Sequence, residues 1–135
     1  MATRLNPYIS FGGNAREAMT LYQHVLGGTL ELHTFGEYGA DHGDDTDNIM
    51  HGLLETEDGL TLMAADTPPG MEHRTGNNIT VSLSGDDAEL LRRRFTGLAE
   101  GGTVDVKLEK QMWGDEFGQL TDRFGIGWLV NISGV

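Results

Sequence analysis

The segment FGGNAREAMTLYQHVLGGT, residues 11–29, returns later in the chain as SGDDAELLRRRFTGLAEGGT, residues 84–103. Both copies place a small polar residue before a helical pattern, and both end in the same Gly-Gly-Thr triplet. Self-similarity at this spacing indicates one structural unit built twice. The chain of 135 residues is therefore predicted to be a single domain of two modules, residues 6–66 and 78–133, joined by a linker over 67–77.

Each copy of the repeat predicts one helix that ends at a pair of glycines. Asn14 is the predicted N-cap of the first helix, and Glu17 completes a capping box. In the second copy Asp86 or Asp87 takes the cap position, and the three arginines at 92–94 are expected mostly to face water. The apolar positions recur at helical spacing and predict the buried faces: Ala15, Ala18, Met19, Tyr22, Val25 and Leu26, then Ala88, Leu91, Phe95, Leu98 and Ala99.

Short runs rich in β-branched and aromatic residues surround the helices and predict strands. They cover residues 8–11, 29–35, 49–55 and 60–65 in the first module, and 79–84, 103–108, 119–122 and 128–132 in the second. Each module thus has the order β-α-β-β-β, which predicts an α+β protein.

Four segments of the sequence resemble a known family: NPYISFGGNAREAMTLYQHVLGG at 6–28, MHGLLE at 50–55, LMAAD at 62–66 and WGDEFGQLTDRFGIGWLVNI at 113–132. With the repeat, they make the chain resemble the PhnB-like branch of the vicinal oxygen chelate superfamily, which includes glyoxalases, bleomycin-resistance proteins and extradiol dioxygenases. The resemblance implies paired βαβββ modules that form a curved, cup-like mixed sheet with helices on the convex side. It also implies a ligand in the cup and assembly as a homodimer.

Metal-dependent proteins of this superfamily take His, Gln or Glu ligands from the first and last strands of each module. The resemblance places these positions at Pro7, Met63, Thr80 and Leu129, within about one residue of register. None of the four supplies the imidazole or carboxylate that a divalent cation requires. We therefore expect no cofactor, and a divalent metal would have to be held by unusual ligands.

Alternation along the strands separates a helix-side set from a second set that predicts the lining of the cup. The lining set is small and mostly neutral: Thr61, Met63, Ala65, Asn78, Thr80, Ser82, Leu129, Asn131 and Ser133. Met63, Asn78, Thr80, Ser82, Leu129 and Asn131 are the predicted ligand contacts. Such a lining suits an organic ligand better than a bare cation. The alternative is that these are ordinary polar strand positions that face water or a dimer partner.

Further candidate ligand-binding residues lie within or beside the segments that carry the resemblance. Trp113 and Phe117 can stack on an aromatic ligand, and Gln111 or Asn131 can orient it. Equally, the segment WGDEFG can be a turn whose aromatic residues close one end of the core.

Two residues with titratable side chains suit proton transfer. His51 is a candidate general base or ligand contact, although a structural histidine is an equal alternative. Glu37 is the second candidate catalytic group.

Oxygen and nitrogen donors also cluster in the first module at Asp41, His42, Asp44, Asp45 and Asp47. Their spacing does not match a calcium loop, because a loop starting at Asp45 would place Met50 where the required glycine belongs. We expect a solvated, flexible loop here.

The charge balance excludes several partners. Against 9 basic residues the chain has 21 acidic ones, a formal net charge of −12, which disfavours nucleic acid and anionic membranes. No segment is apolar for long enough to span a membrane. The absence of cysteine fits a reducing compartment, and we expect a cytoplasmic protein.

These observations leave three hypotheses of function. The leading one is a metal-independent protein that binds a small molecule, aromatic or cationic, and so sequesters a natural product or antibiotic. The second is a PhnB- or glyoxalase-type lyase, isomerase or transferase, in which His51 or Glu37 moves a proton on a carbonyl or aromatic substrate. The third is a dimeric structural module without a ligand.

Overall fold

The computed structural model describes residues 3–39, 43 and 45–134. Its contacts divide the chain into two compact units, Met1–Arg74 and Thr75–Val135, and the boundary lies inside the segment predicted as a linker. The first unit contains β1 (Tyr8–Phe11), α1 (Ala15–Leu26), β2 (Thr29–Thr34), a one-turn 3-10 helix (Gly36–Tyr38), β3 (Ile49–Glu55) and β4 (Thr61–Asp66). The second contains β5 (Val81–Gly85), α2 (Ala88–Ala99), β6 (Thr103–Lys110), β7 (Glu116–Thr121) and β8 (Gly127–Ile132).

Both units have the same strand order. The first sheet runs β1-β4-β3-β2 and the second β5-β8-β7-β6. In each, the first strand of the unit pairs with the last in parallel and the other pairs are antiparallel. The prediction of an α+β protein built from two βαβββ modules is confirmed.

The glycines that end each copy of the repeat serve a close backbone approach. A Cβ atom on Gly28 would lie 2.2 Å from the carbonyl oxygen of Glu55, at the end of β3. A Cβ atom on Gly102 would lie 2.2 Å from the carbonyl oxygen of Thr121, at the end of β7. Only glycine allows the chain to enter β2 and β6 at these points.

The start of α1 differs from the predicted capping box. The side chain of Asn14 makes no capping hydrogen bond. Instead, one carboxylate oxygen of Asp66 accepts hydrogen bonds from the backbone N–H groups of Gly13 at 2.9 Å and Ala15 at 3.0 Å. Its other oxygen accepts from the N–H of Ile49 at 2.8 Å. Asp66 therefore joins the helix start, the start of β3 and the end of β4.

In the second unit the predicted cap is correct, but the buried face differs from the prediction, since Ala88 and Ala99 are partly exposed and Arg94 is buried. Asp87 accepts a hydrogen bond from the backbone N–H of Leu90 at 3.2 Å. Arg94, expected mostly to face water, is only 6% exposed. Position 94 is three residues after Leu91 and four before Leu98, so it lies on the apolar stripe of α2, where the long aliphatic stem of arginine can pack.

The helix-side faces of the sheets form the two cores. Most of the helix-side residues predicted from alternation are buried, namely Leu62, Ala64, Leu83, Trp128, Val130 and Ile132. Leu60 and Val81 of the same set are partly exposed, and Ala65, predicted to line the cup, is buried. The residues of α1 expected to be buried are so except Val25, which is partly exposed.

Buried Asp122 organises the turn between β7 and β8. One of its oxygens accepts from the backbone N–H groups of Phe124 and Ile126, and the other from the indole nitrogen of Trp128 at 2.9 Å.

Candidate functional site

We call the face of each sheet that lies opposite its helix the open face. On the second open face, strand register places Ser82 beside Leu129 and Leu129 beside Gln119. One step further along the strands, Ser84 lies beside Asn131 and Asn131 beside Phe117. Because registered neighbours share a face, the predicted contacts Ser82, Leu129, Asn131 and Phe117 lie together.

An aromatic pair borders these residues. The rings of Trp113 and Phe117 meet edge to face, with centroids 6.1 Å apart and an interplanar angle of 65°. Trp113 is 60% exposed, whereas Phe117 is partly buried. The indole thus offers a free surface for stacking while its neighbour limits its movement.

Two amide side chains are oriented beside the aromatic pair. Asn131 donates from Nδ2 to a carboxylate oxygen of Asp115 at 3.1 Å. Gln111 donates from Nε2 to the carbonyl oxygens of Glu109 at 2.9 Å and Phe117 at 3.5 Å. Gln111 and Asp115 also bracket the β6–β7 turn, in which Gln111 N–H donates to the Asp115 carbonyl at 2.8 Å.

The remaining predicted contacts of the second unit lie elsewhere. Strand β5 begins at Val81, so Asn78 and Thr80 precede it, and both are exposed. The neighbour of Leu129 in the first strand of the unit is Ser82, not Thr80. Likewise, the neighbour of Met63 in the first unit is Tyr8, not Pro7. The residues that pair with Met63 and Leu129 therefore lie one position further along in β1 and two in β5, and the two pairs supply only hydroxyl, thioether and alkyl groups.

The first open face carries the two candidate catalytic residues and one further histidine. Met63 lies beside Tyr8 on one side and Leu53 on the other. His51, on the same strand face as Leu53, is the registered neighbour of His33 on β2.

Glu37 is coupled to His33 rather than to His51. Its Oε1 lies 3.7 Å from Nδ1 of His33, and its Oε2 accepts from the backbone N–H of Thr34 at 2.5 Å. The Thr34 hydrogen bond, helped by His33 and opposed by burial, lowers the pKa of Glu37. The ring of Tyr38 meets that of His33 edge to face at 6.0 Å. The structure thus forms a His33–Glu37 pair, with His51 on the adjacent strand.

The structure describes the acidic loop only in part, since Asp41, His42 and Asp44 lie outside the described residues. Asp47 is exposed, as expected of a solvated loop. Asp45 is only 8% exposed, against that expectation, and its carbonyl accepts from Asn48 N–H at 3.0 Å. Among the described residues, no group of three or more His, Cys, Asp or Glu side chains could hold a metal ion.

A separate cavity of about 460 Å³ in the first unit is lined by residues 4–6 and by the β3–β4 hairpin, at 55, 56 and 59–61. It includes Thr61 of the predicted cup lining but none of the predicted ligand contacts. No helix within the described part of the chain is long and apolar enough to cross a bilayer.

Neither His33 nor Asp115 was predicted as a site residue. The pairing of strand 29–34 with strand 49–55 makes His33 a neighbour of His51, and that pairing could have identified it. Asp115 lies in the segment WGDEFG, but its contact with Asn131 depends on how the turn folds.

Known proteins share this fold and part of the sequence. Residues 4–130 match the family model of the Glyoxalase/Bleomycin resistance protein/Dioxygenase superfamily. YjdN of Escherichia coli strain K12 is 30% identical over 140 residues, which cover 95% of this chain and 94% of YjdN. The crystal structure of PA1353 from Pseudomonas aeruginosa is 39% identical, covers 97% of this chain and 98% of its own, and superposes with a TM-score of 0.87.

A more distant structure shares the fold alone. It is described as a putative 3-demethylubiquinone-9 3-methyltransferase, PhnB protein, from Bacillus cereus, and is 18% identical with a TM-score of 0.75 over 97% of this chain and all of its own.

Proposed function

This chain belongs to the glyoxalase/bleomycin resistance protein/dioxygenase superfamily, and on that premise we propose that it is a metal-independent small-molecule binding protein. In this proposal it is a cytoplasmic homodimer that sequesters an aromatic or cationic natural product or antibiotic. Membership does not decide the function, because one fold serves many activities. The proposal therefore depends on the chemistry of the open faces.

The aromatic pair on the second open face carries the proposal. Trp113, held against Phe117, offers a flat apolar surface, and Asn131 lies in register beside Phe117. Leu129 and Ser82 extend the same surface with one alkyl and one hydroxyl group. Apolar area combined with a few oriented polar groups is typical of sites for organic ligands.

The donor set at the first and last strands supports metal independence. The registered pairs are Tyr8 with Met63 and Ser82 with Leu129. A phenol, a thioether, a hydroxyl and an alkyl group do not match the imidazole and carboxylate ligands that divalent transition metals prefer.

The His33–Glu37 pair favours the enzyme as the second candidate. A carboxylate near Nδ1 of a histidine attracts the protonated ring and leaves Nε2 to exchange a proton. His51 lies across from this histidine on β3. In this reading His33 and His51 transfer protons on a carbonyl or aromatic substrate, and Glu37 orients His33.

Thermal-shift screening of an organic library, with and without EDTA, tests the proposal. We expect aromatic compounds to raise the melting temperature equally in both buffers, and Trp113→Leu to remove those shifts. A His51→Ala variant that binds normally but no longer converts a ligand would establish the enzyme instead. Complete silence across the library would favour the structural module.

A further inference from the structure

We propose that Asp115 makes the second open face selective for planar organic cations whose ring system bears N–H groups. This inference rests on the proposed binding function and names its ligand class. Asp115 acts in two ways, by orienting Asn131 and by carrying negative charge next to the aromatic pair.

The contact with Asp115 sets the orientation of the Asn131 amide. An ionised carboxylate only accepts hydrogen bonds. The 3.1 Å contact between Asn131 and Asp115 therefore requires the NH₂ group of Asn131 to point at Asp115. The carbonyl oxygen of Asn131 is left as an acceptor on the open face, where the side chain is partly exposed.

Gln111 is oriented by the same logic. Its amide contacts two backbone carbonyl oxygens, those of Glu109 and Phe117. Since a carbonyl cannot donate, both contacts must use the NH₂ group. Around the β6–β7 turn the protein therefore consumes its own amide donors and leaves acceptors, which a ligand rich in N–H groups would match.

Asp115 also brings a negative charge to the second open face. Among the described residues, ion pairs join Arg74 to Glu72 and Arg92 to Glu116. The next residue along the chain, Glu116, is neutralised by an arginine, whereas the partner of the Asp115 carboxylate in the described part of the chain is the neutral Asn131. Lys110 registers with Glu116, which in turn registers with buried Ile132, so Lys110 belongs to the opposite face of the sheet.

Aromatic and anionic groups together favour a cation. Indole is the strongest cation–π partner among the side chains, and Trp113 presents it largely exposed. A partly buried carboxylate attracts a cation more strongly than a fully solvated one does. The net charge of −12 adds a long-range contribution of the same sign.

Two probes with the same ring and opposite charge test the inference. They are 9-aminoacridine, a cation at neutral pH that bears N–H groups, and acridine-9-carboxylate, an anion. Binding is followed by calorimetry and by quenching of tryptophan emission, and the part of the quenching that is absent from Trp113→Phe reports on Trp113. We expect the cation to bind at least about tenfold more tightly than the anion.

Variants separate the contribution of Asp115. Asp115→Asn keeps the size and removes the charge, and should reduce the preference to less than about threefold. Glu57→Gln removes an equal charge from an exposed turn of the first unit and should leave the preference unchanged. Trp113→Phe keeps an aromatic ring and should retain part of the affinity measured by calorimetry.

The outcomes distinguish this inference from the binding proposal. Equal or tighter binding of the anion, or a preference that survives Asp115→Asn, overturns the selectivity but leaves a small-molecule site in place. Binding of library compounds with no response of Trp113 to either acridine also overturns it. If neither the acridines nor any library compound binds, both proposals fail.

Discussion

Asn131 on β8 donates a hydrogen bond of 3.1 Å to Asp115, which lies 16 positions earlier in the turn that precedes β7. The contact holds that turn against the last strand of the second unit. It connects the structural and functional arguments, because the same turn carries Trp113. The contribution of this contact to the free energy of unfolding can be measured.

Asn131→Asp should destabilise the protein at neutral pH, because it places two carboxylates at hydrogen-bond distance. We expect the free energy of unfolding to fall by about 1 to 3 kcal/mol at pH 7. Urea denaturation measures the loss. Asn77→Asp, in the exposed linker, is the matched control and should change little; an equal loss there would contradict the assigned contact.

Asp66→Asn should be much more damaging than Asn14→Ala. Asp66 accepts three backbone hydrogen bonds at a buried position, so loss of its charge should cost about 2 to 4 kcal/mol. Asn14 makes no side-chain capping bond, and its removal should cost less than about 0.5 kcal/mol. Chemical denaturation ranks the two variants. The reverse order would restore the capping box.

Gly28→Ala and Gly102→Ala should each destabilise the protein, because the added methyl group meets a backbone carbonyl oxygen at 2.2 Å. Overpacking of this kind costs about 1 to 3 kcal/mol. At Gly76 the nearest atom to an added Cβ lies 3.7 Å away, so Gly76→Ala should be nearly neutral. The melting temperatures of the three variants test this prediction. Equal values would contradict the close backbone approach at Gly28 and Gly102.

The Arg92–Glu116 pair predicts a pH dependence of stability. The hydrogen bond from Arg92, opposed by burial and aided by charge attraction, lowers the pKa of Glu116 below its ordinary value of 4.5. A carboxyl with a folded-state pKa below the unfolded one stabilises the protein above the unfolded value. That stability is lost as the pH falls through the folded value.

Urea denaturation between pH 7 and pH 3 should show this loss. The wild type should lose more stability below about pH 4.5 than Glu116→Gln does. Glu57→Gln should follow the wild type. Parallel curves for the wild type and Glu116→Gln would show that the pair contributes nothing.

Local patterns predicted the elements well because each element depends on nearby residues. The glycine pairs ended both helices, and alternation identified the buried face that includes Trp128 and Val130. The predicted strand boundaries were wrong where a turn sets them. For example, β7 begins at Glu116, three residues before its predicted start at Gln119.

Contacts between distant residues could not be predicted from patterns. Asp66 caps α1 from 51 residues away, so the nearby Asn14 was the only visible candidate. Arg94 is buried because it falls on the helix stripe, although its charge predicted exposure. The neighbour relation of His33 and His51 required the β2–β3 register, and that of Asp115 and Asn131 required the turn.

Calorimetric titration of the strongest aromatic ligand from the library, before and after dialysis against EDTA, tests the central claim most directly. The account predicts the same affinity in both preparations and its loss in Trp113→Leu. A heat of binding that disappears on chelation, returns with a divalent metal and survives Trp113→Leu would contradict it.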